Sequence, residues 1–204
     1  MQYDFDNKNI NIESTAQKAI TDEKLLGELI ENLKSKKDTI RENSFNTLLF
    51  MSENHPEVLY PRWDYFAGMI DSDNAFWKHM AVRLIANITK VDIQDKFDII
   101  LNKYFDLLND SVIVAGHVTA NSGKIAKAKP QLQTKITNKL LNIDRTTQKH
   151  KDLIKAGAIK SFDEYFEESQ DKKRIMNFVK KQLNSESPKT RKTAKAFLEK
   201  WAES

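Results

Sequence analysis

One phrase recurs along this chain. It consists of an apolar residue, a short polar break, and an amphipathic segment with a basic or small residue eight positions on and a small residue eleven on. The first copy starts at Leu33 and reaches Arg41, Ser44 and Leu48; the second starts at Ile70 and reaches Lys78, Ala81 and Ile85. The third starts at Leu107 and reaches Ala115, Val118 and Ser122, and a late copy starts at Leu183 and reaches Arg191, Ala194 and Leu198. The first three anchors are 37 residues apart, and the last follows after 76, twice 38. A fixed period of this size with helical spacing inside it describes stacked helix pairs. Burying one Leu or Phe side chain is worth roughly 1.5–3 kcal/mol. Ordering the backbone costs about 1–2 kcal/mol per residue. One isolated pair cannot win that contest, whereas a stacked pair buries apolar surface on both neighbours.

Composition agrees with an all-α chain. Among 204 residues there are only five Gly and four Pro, with 30% charged and 40% hydrophobic residues. That balance suits folded helices rather than strands or disorder. The first twelve residues are polar and acidic, unlike a secretory signal. No apolar run approaches the roughly 20 residues of a membrane-spanning helix. Cysteine is absent, which excludes disulfides, thiolate metal sites and cysteine nucleophiles and leads us to expect a cytoplasmic protein. Charge is unevenly distributed. Residues 1–123 hold 13 Lys and Arg against 19 Asp and Glu, whereas residues 124–204 hold 20 against 10. A basic half attracts acidic protein, nucleic acid or anionic membrane.

Two segments follow from the pattern. Residues 1–21 read as a loose polar arm with a short helix capped by Ser14, because Ser14-Thr15-Ala16-Gln17 has capping-box spacing. Residues 22–204 read as five helix pairs. Asp38 and Ser187 are expected helix caps, with Pro188 at the first helical position. Pro56 and Pro130 mark helix boundaries. The fourth pair, with a break at 144–148, is the least regular.

The second-helix starts Asp38-Thr39-Ile40-Arg41, Asp110-Ser111-Val112-Ile113-Val114 and Ser187-Pro188-Lys189-Thr190-Arg191, together with Val118–Ile125, resemble HEAT repeats of the armadillo-like group. The resemblance covers about residues 22–204. It departs at the fourth pair and at Ala115, where a basic residue is expected. It implies a right-handed α-α superhelix, a solenoid, and a binding role.

Candidate catalytic and metal motifs fail on spacing. Gly116 to Lys124 has six residues between its glycines and lacks the Ser or Thr that a phosphate loop places after its Lys. Asp71-Ser72-Asp73-Asn74 lacks the Gly and Glu of a calcium loop; helix capping accounts for it. The histidines form no ligand pair, although His79 and His117, 38 apart, occupy nearly equivalent repeat positions. Neither a catalytic residue, a metal site nor a cofactor is assigned.

The lysine groups are the remaining lead. Lys124, Lys127 and Lys129 cluster at one helix end. Lys135 with Lys139, Lys151 with Lys155, and Arg191 with Lys195 are like-charged i,i+4 neighbours, a spacing that repels. We therefore expect a non-catalytic scaffold or adaptor that binds a protein, an acidic one, through a partly basic concave surface carrying Lys124, Lys127, Lys151, Lys155, Arg191 and Lys195. The alternative is a nucleic-acid-binding solenoid. HEAT-like alkylbase DNA glycosylases use tryptophans, an aspartate and an arginine, and that resemblance implies such roles for Trp63, Asp64, Trp77 and Arg83.

Overall fold

The computed structural model describes residues 4–202, which leaves the first three residues of the arm and the last two of the solenoid outside the description. A short helix, α1 (Ile12–Ala19), precedes five pairs. They are α2 (Glu23–Asn32) with α3 (Asp38–Asn54); α4 (Pro56–Leu59) and α5 (Trp63–Gly68) with α6 (Ala75–Ile88); and α7 (Lys96–Asp106) with α8 (Val112–Ala128). Then come α9 (Gln133–Leu141) with α10 (Lys151–Tyr165), and α11 (Lys172–Lys181) with α12 (Pro188–Lys200). The described residues contain no strand.

Local chemistry sets these boundaries. Pro56 opens α4 directly after His55 closes α3, and Pro61 interrupts that first helix again, so the second pair has two short pieces in place of one helix. Asn74 accepts from Phe76 N–H, Ser111 from Val114 N–H and Ser187 from Thr190 N–H, each closing an otherwise unpaired first-turn donor. Two expected caps are displaced. Asp38 lies inside α3, after Lys37, which makes no side-chain cap bond. Asn11, not Ser14, caps α1 by accepting from Ser14 N–H, because the helix begins two residues before Ser14. The residues preceding the second helices are Lys37, Asn74, Ser111, His150 and Ser187. The interval from Ser111 to His150 is the long one, and this is the irregularity seen at the fourth pair.

The N-terminal arm is not loose. Phe5 is buried in the core, and Asn43 of α3 donates its amide to Phe5 O and Asn7 O. The arm thereby covers the apolar side of the first pair that faces away from the second.

The second helices lie side by side, parallel and in register. Asn87 of α6 donates to Ser52 Oγ of α3 (2.8 Å), and Lys124 of α8 donates to Asn87 Oδ1 (2.7 Å). Thr190 of α12 donates to Asp152 O of α10. The closest approach joins α8 and α10. There Ser161 Oγ donates to Thr119 O (2.6 Å) and accepts from Gly123 N (2.8 Å), the two ends of one i→i−4 step of α8. A Cβ on Gly123 would stand 2.7 Å from Ser161 O, and one on Gly157 would stand 2.4 Å from Thr119 Oγ1. The glycines that superficially suggest a phosphate loop therefore include a packing contact.

The outer helices are tied by a buried charge cluster. Asp92 accepts from Tyr60 Oη (2.8 Å), Lys96 N (3.0 Å) and Phe97 N (2.9 Å), and lies 3.1 Å from Lys129 Nζ. Burial pushes its carboxyl up, but those donors outweigh burial and hold it below the usual range. Lys129 also donates to Asp92 O and Asp95 Oδ1 and is itself buried, so it is a structural residue.

Two glycine substitutions in α8 should have opposite effects. Ala is the better helix former by up to about 1 kcal/mol, and Gly116 has nothing within 4 Å of an added Cβ. Gly116→Ala should therefore stabilise by up to that amount. Gly123→Ala pushes on the backbone of α10 and should destabilise by about 1–3 kcal/mol net. Urea denaturation of both variants checks the signs.

Candidate inner-face binding site

The repeat's basic position, eight residues after the anchor, holds the turns together. Arg41 donates to Ser35 O (3.0 Å) and Arg191 to Ser185 O (2.6 Å), the same contact made at the two ends of the chain. Lys78 reaches the following turn and pairs with Asp110 at 2.7 Å. Where Ala115 replaces the basic residue, Gln148 of the following loop donates to Asp110 O (2.8 Å) and Thr147 N–H to Asn109 Oδ1 (2.9 Å). The fourth pair uses Lys155, which is only 7% exposed and bridges Asp144 (2.7 Å) and Asp152 (3.1 Å).

This placement sorts the six basic residues singled out from the sequence. Lys155 is buried between two carboxylates. Arg191 bonds turn carbonyls, and Lys151 donates to Asp144 O. Lys195 is exposed on α12, 3.7 Å from Glu199. Lys124 and Lys127 alone share a site. They line a groove of about 530 Å³ along the second helices, with Ser52, Glu53, Asn87, Lys90 and Glu164. Four of its charged residues, Glu53, Lys90, Lys127 and Glu164, come from four successive pairs at intervals of 37. Lys124 is tied within the groove to Asn87 and lies 3.6 Å from Glu53. Lys90 and Lys127 are exposed and bond no described residue. Burial pushes the Glu164 carboxyl up, against the pull of Lys124 and Lys127.

Further along the same stripe of α6, Arg83 stacks over the Phe45 ring, 5.0 Å from its centroid. Its guanidinium makes no hydrogen bond or ion pair with any described residue. Beside it, His79 and His117 face each other with ring centroids 5.4 Å apart, and Phe76 packs edge-on against His79. Burial, with Arg83 and then His79 adding to it, pushes His117 down to about 4. His79 is lowered by burial and by Arg83. Both rings are therefore neutral near pH 7. Large apolar side chains are exposed in the first turns of α6, α8 and α10: Phe76 at 52%, Ile113 at 64% and Leu153 at 44%.

The residues that a glycosylase reading would use are dispersed. Trp63 is buried in the core, Asp64 faces Lys96, and Trp77 packs at the core edge. Among the described residues, no three His, Asp or Glu side chains are placed to hold a metal ion. No helix is long and apolar enough to cross a membrane.

Comparison with known proteins bears on the fold alone. No family model matches the chain, and no curated protein does. Solved structures do match. A designed armadillo repeat protein is 18% identical, with a TM-score of 0.57 over 90% of this chain and 84% of that one. A second, in complex with the peptide (KR)4, is 16% identical, with a TM-score of 0.60 over 92% and 89%. An engineered protein is 16% identical, with a TM-score of 0.58 over 96% and 85%. The fold is thus the armadillo- and HEAT-like solenoid that the repeat implies.

The imidazole pair gives a pH signature. A histidine depressed in the folded state takes up its proton more readily when unfolded, so stability falls as pH drops from about 6.5 towards 4. The lowered carboxyls of Asp92, Asp110 and Asp152 act at lower pH, below their ordinary values. His117→Gln should flatten the upper part of the acid limb. Urea midpoints at pH 7 and pH 4.5 test this; equal drops in both proteins would contradict it.

Proposed function

We propose that the protein is a non-catalytic scaffold that binds an extended segment of another protein along the inner face of its second helices. The observation that carries this reading is the row Glu53, Lys90, Lys127 and Glu164, which places one charged side chain per pair along a continuous groove. An extended strand crossing parallel helices meets such a row in order, and the rigid stack holds it preorganised. The designed neighbour holds a basic peptide. In this chain the middle of the row is basic, and Arg83 lies beside it with no hydrogen bond or ion pair to any described residue. The segment that fits therefore carries Asp or Glu at its centre. Carboxylates there meet Lys90, Lys127 and the guanidinium of Arg83, which suits bidentate pairing. Phe76, Ile113 and Leu153 supply apolar contact at the rim of the same face, while the charges steer the encounter.

Linear peptides selected from a display library against the protein test this. The wild type should enrich peptides with central Asp or Glu and bind them at least tenfold more weakly after Arg83→Gln. Lys90→Glu with Lys127→Glu should shift selection towards central Lys or Arg. Selection of the same peptides by wild type and charge-reversed protein would refute the assignment of this face.

A further inference from the structure

Most of the chain's cations on the second helices are tied to turns or neighbouring carboxylates, whereas most of those on the outer helices α9 and α11 are not. α9 and α11 contain no Asp or Glu. Lys135 and Lys139 of α9, with Arg145 beyond its end, line a groove of about 420 Å³ against α7. On α11, Lys173, Lys180 and Lys181 are exposed, opposite the buried Ile175, Phe178 and Val179. None of these six makes an ion pair or side-chain hydrogen bond with any described residue. Asp106 is the one carboxylate lining the α7 groove. Arg174, paired with Asp171 at 2.7 Å, donates to Asn138 Oδ1 and joins the two helices into one surface. Lys173 and Lys180 stand two turns apart, about 10 Å along the axis.

We propose that this outer face, on the opposite side of the pairs from the peptide groove, docks the phosphate backbone of duplex nucleic acid. Like charges at i,i+4 on α9 repel, a small cost that an external polyanion relieves. What the face lacks identifies the partner. None of the exposed large apolar side chains lies on α9 or α11; Leu183 follows α11, and Ile99 is exposed on α7 at the edge of the groove, away from the lysines. A protein interface needs apolar or aromatic anchors at its centre, and a membrane-binding helix needs an apolar face to insert. Single-strand binding needs exposed rings for stacking. Cations among amides such as Asn138 and Asn177 are what phosphate oxygens take. The contact carries no base readout and is independent of sequence.

Fluorescence anisotropy with a labelled 20-base-pair random duplex tests the proposal. The wild type should bind with Kd on the order of 10⁻⁴–10⁻⁶ M, the range of non-specific duplex binding, and lose affinity steeply between about 50 and 200 mM salt. Lys135→Gln/Lys139→Gln and Lys173→Gln/Lys180→Gln should each weaken binding at low salt. The quadruple variant should lose at least tenfold and flatten the salt slope by about 0.9 per phosphate contact removed. The Lys→Arg quadruple keeps the charge and should keep binding. Lys90→Gln/Lys127→Gln, on the peptide groove, should leave duplex affinity within threefold. The proposal is overturned by no duplex binding at low salt, by equal loss in the groove variant, or by tighter binding to poly-glutamate or phosphatidylserine vesicles at matched charge.

Discussion

The fold depends on the parallel, in-register stacking of α3, α6, α8, α10 and α12. No pair closes a core alone; each presents one side of its second helix to the next. Side-chain bonds mark that register. Ser52, Asn87 and Lys124 hand hydrogen bonds from α3 to α6 to α8. At α8 and α10 the helices come so close that a hydroxyl from one, Ser161, bonds both ends of a ladder step in the other. That contact is possible because Gly123 and Gly157 have no Cβ. On its side facing away from the second pair, the first pair packs against α1 and Phe5 of the arm.

The same stacking divides the basic residues by role. Turns between helices leave carbonyls and carboxylates near the start of the next helix, and a basic residue one turn in is the nearest donor. Arg41, Lys155 and Arg191 serve there, Lys78 reaches the turn of the next pair, and Gln148 joins it at that turn, where the third pair has Ala115. Two groups of the cations that remain unpaired among the described residues belong to the proposed surfaces. Arg83, Lys90 and Lys127 lie on the inner stripe, and the lysines of α9 and α11 lie outside. The two proposed surfaces use these two separate sets.

The period was legible in the sequence because packing repeats impose it. The anchors at Leu33, Ile70 and Leu107 fall at the ends of the first helices of their pairs, and the caps at Ser111 and Ser187 follow ordinary N-cap chemistry. The site was half legible. Lys124 and Lys127 do share a groove, but Lys155 and Arg191 look the same in a charge count and are bound up in turns. Distinguishing them needs the register. Reading every thirty-seventh residue from Glu53 reaches Lys90, Lys127 and Glu164, a row that local motifs do not show. The docked arm was hidden because an Asn-rich stretch reads as loose, and its anchor, the amide of Asn43, is far away in sequence.

Amide hydrogen exchange on a Ser161→Leu variant probes whether the pairs stack one on the next. A bulky side chain there wedges α8 from α10, and nearest-neighbour coupling confines the damage to the pairs it separates. With a stacked solenoid, α8 and α10 lose protection strongly, α12 follows them, and α3 and α6 stay within about threefold of wild type. Equal loss of protection in all five pairs would mean a single closed core and would contradict it.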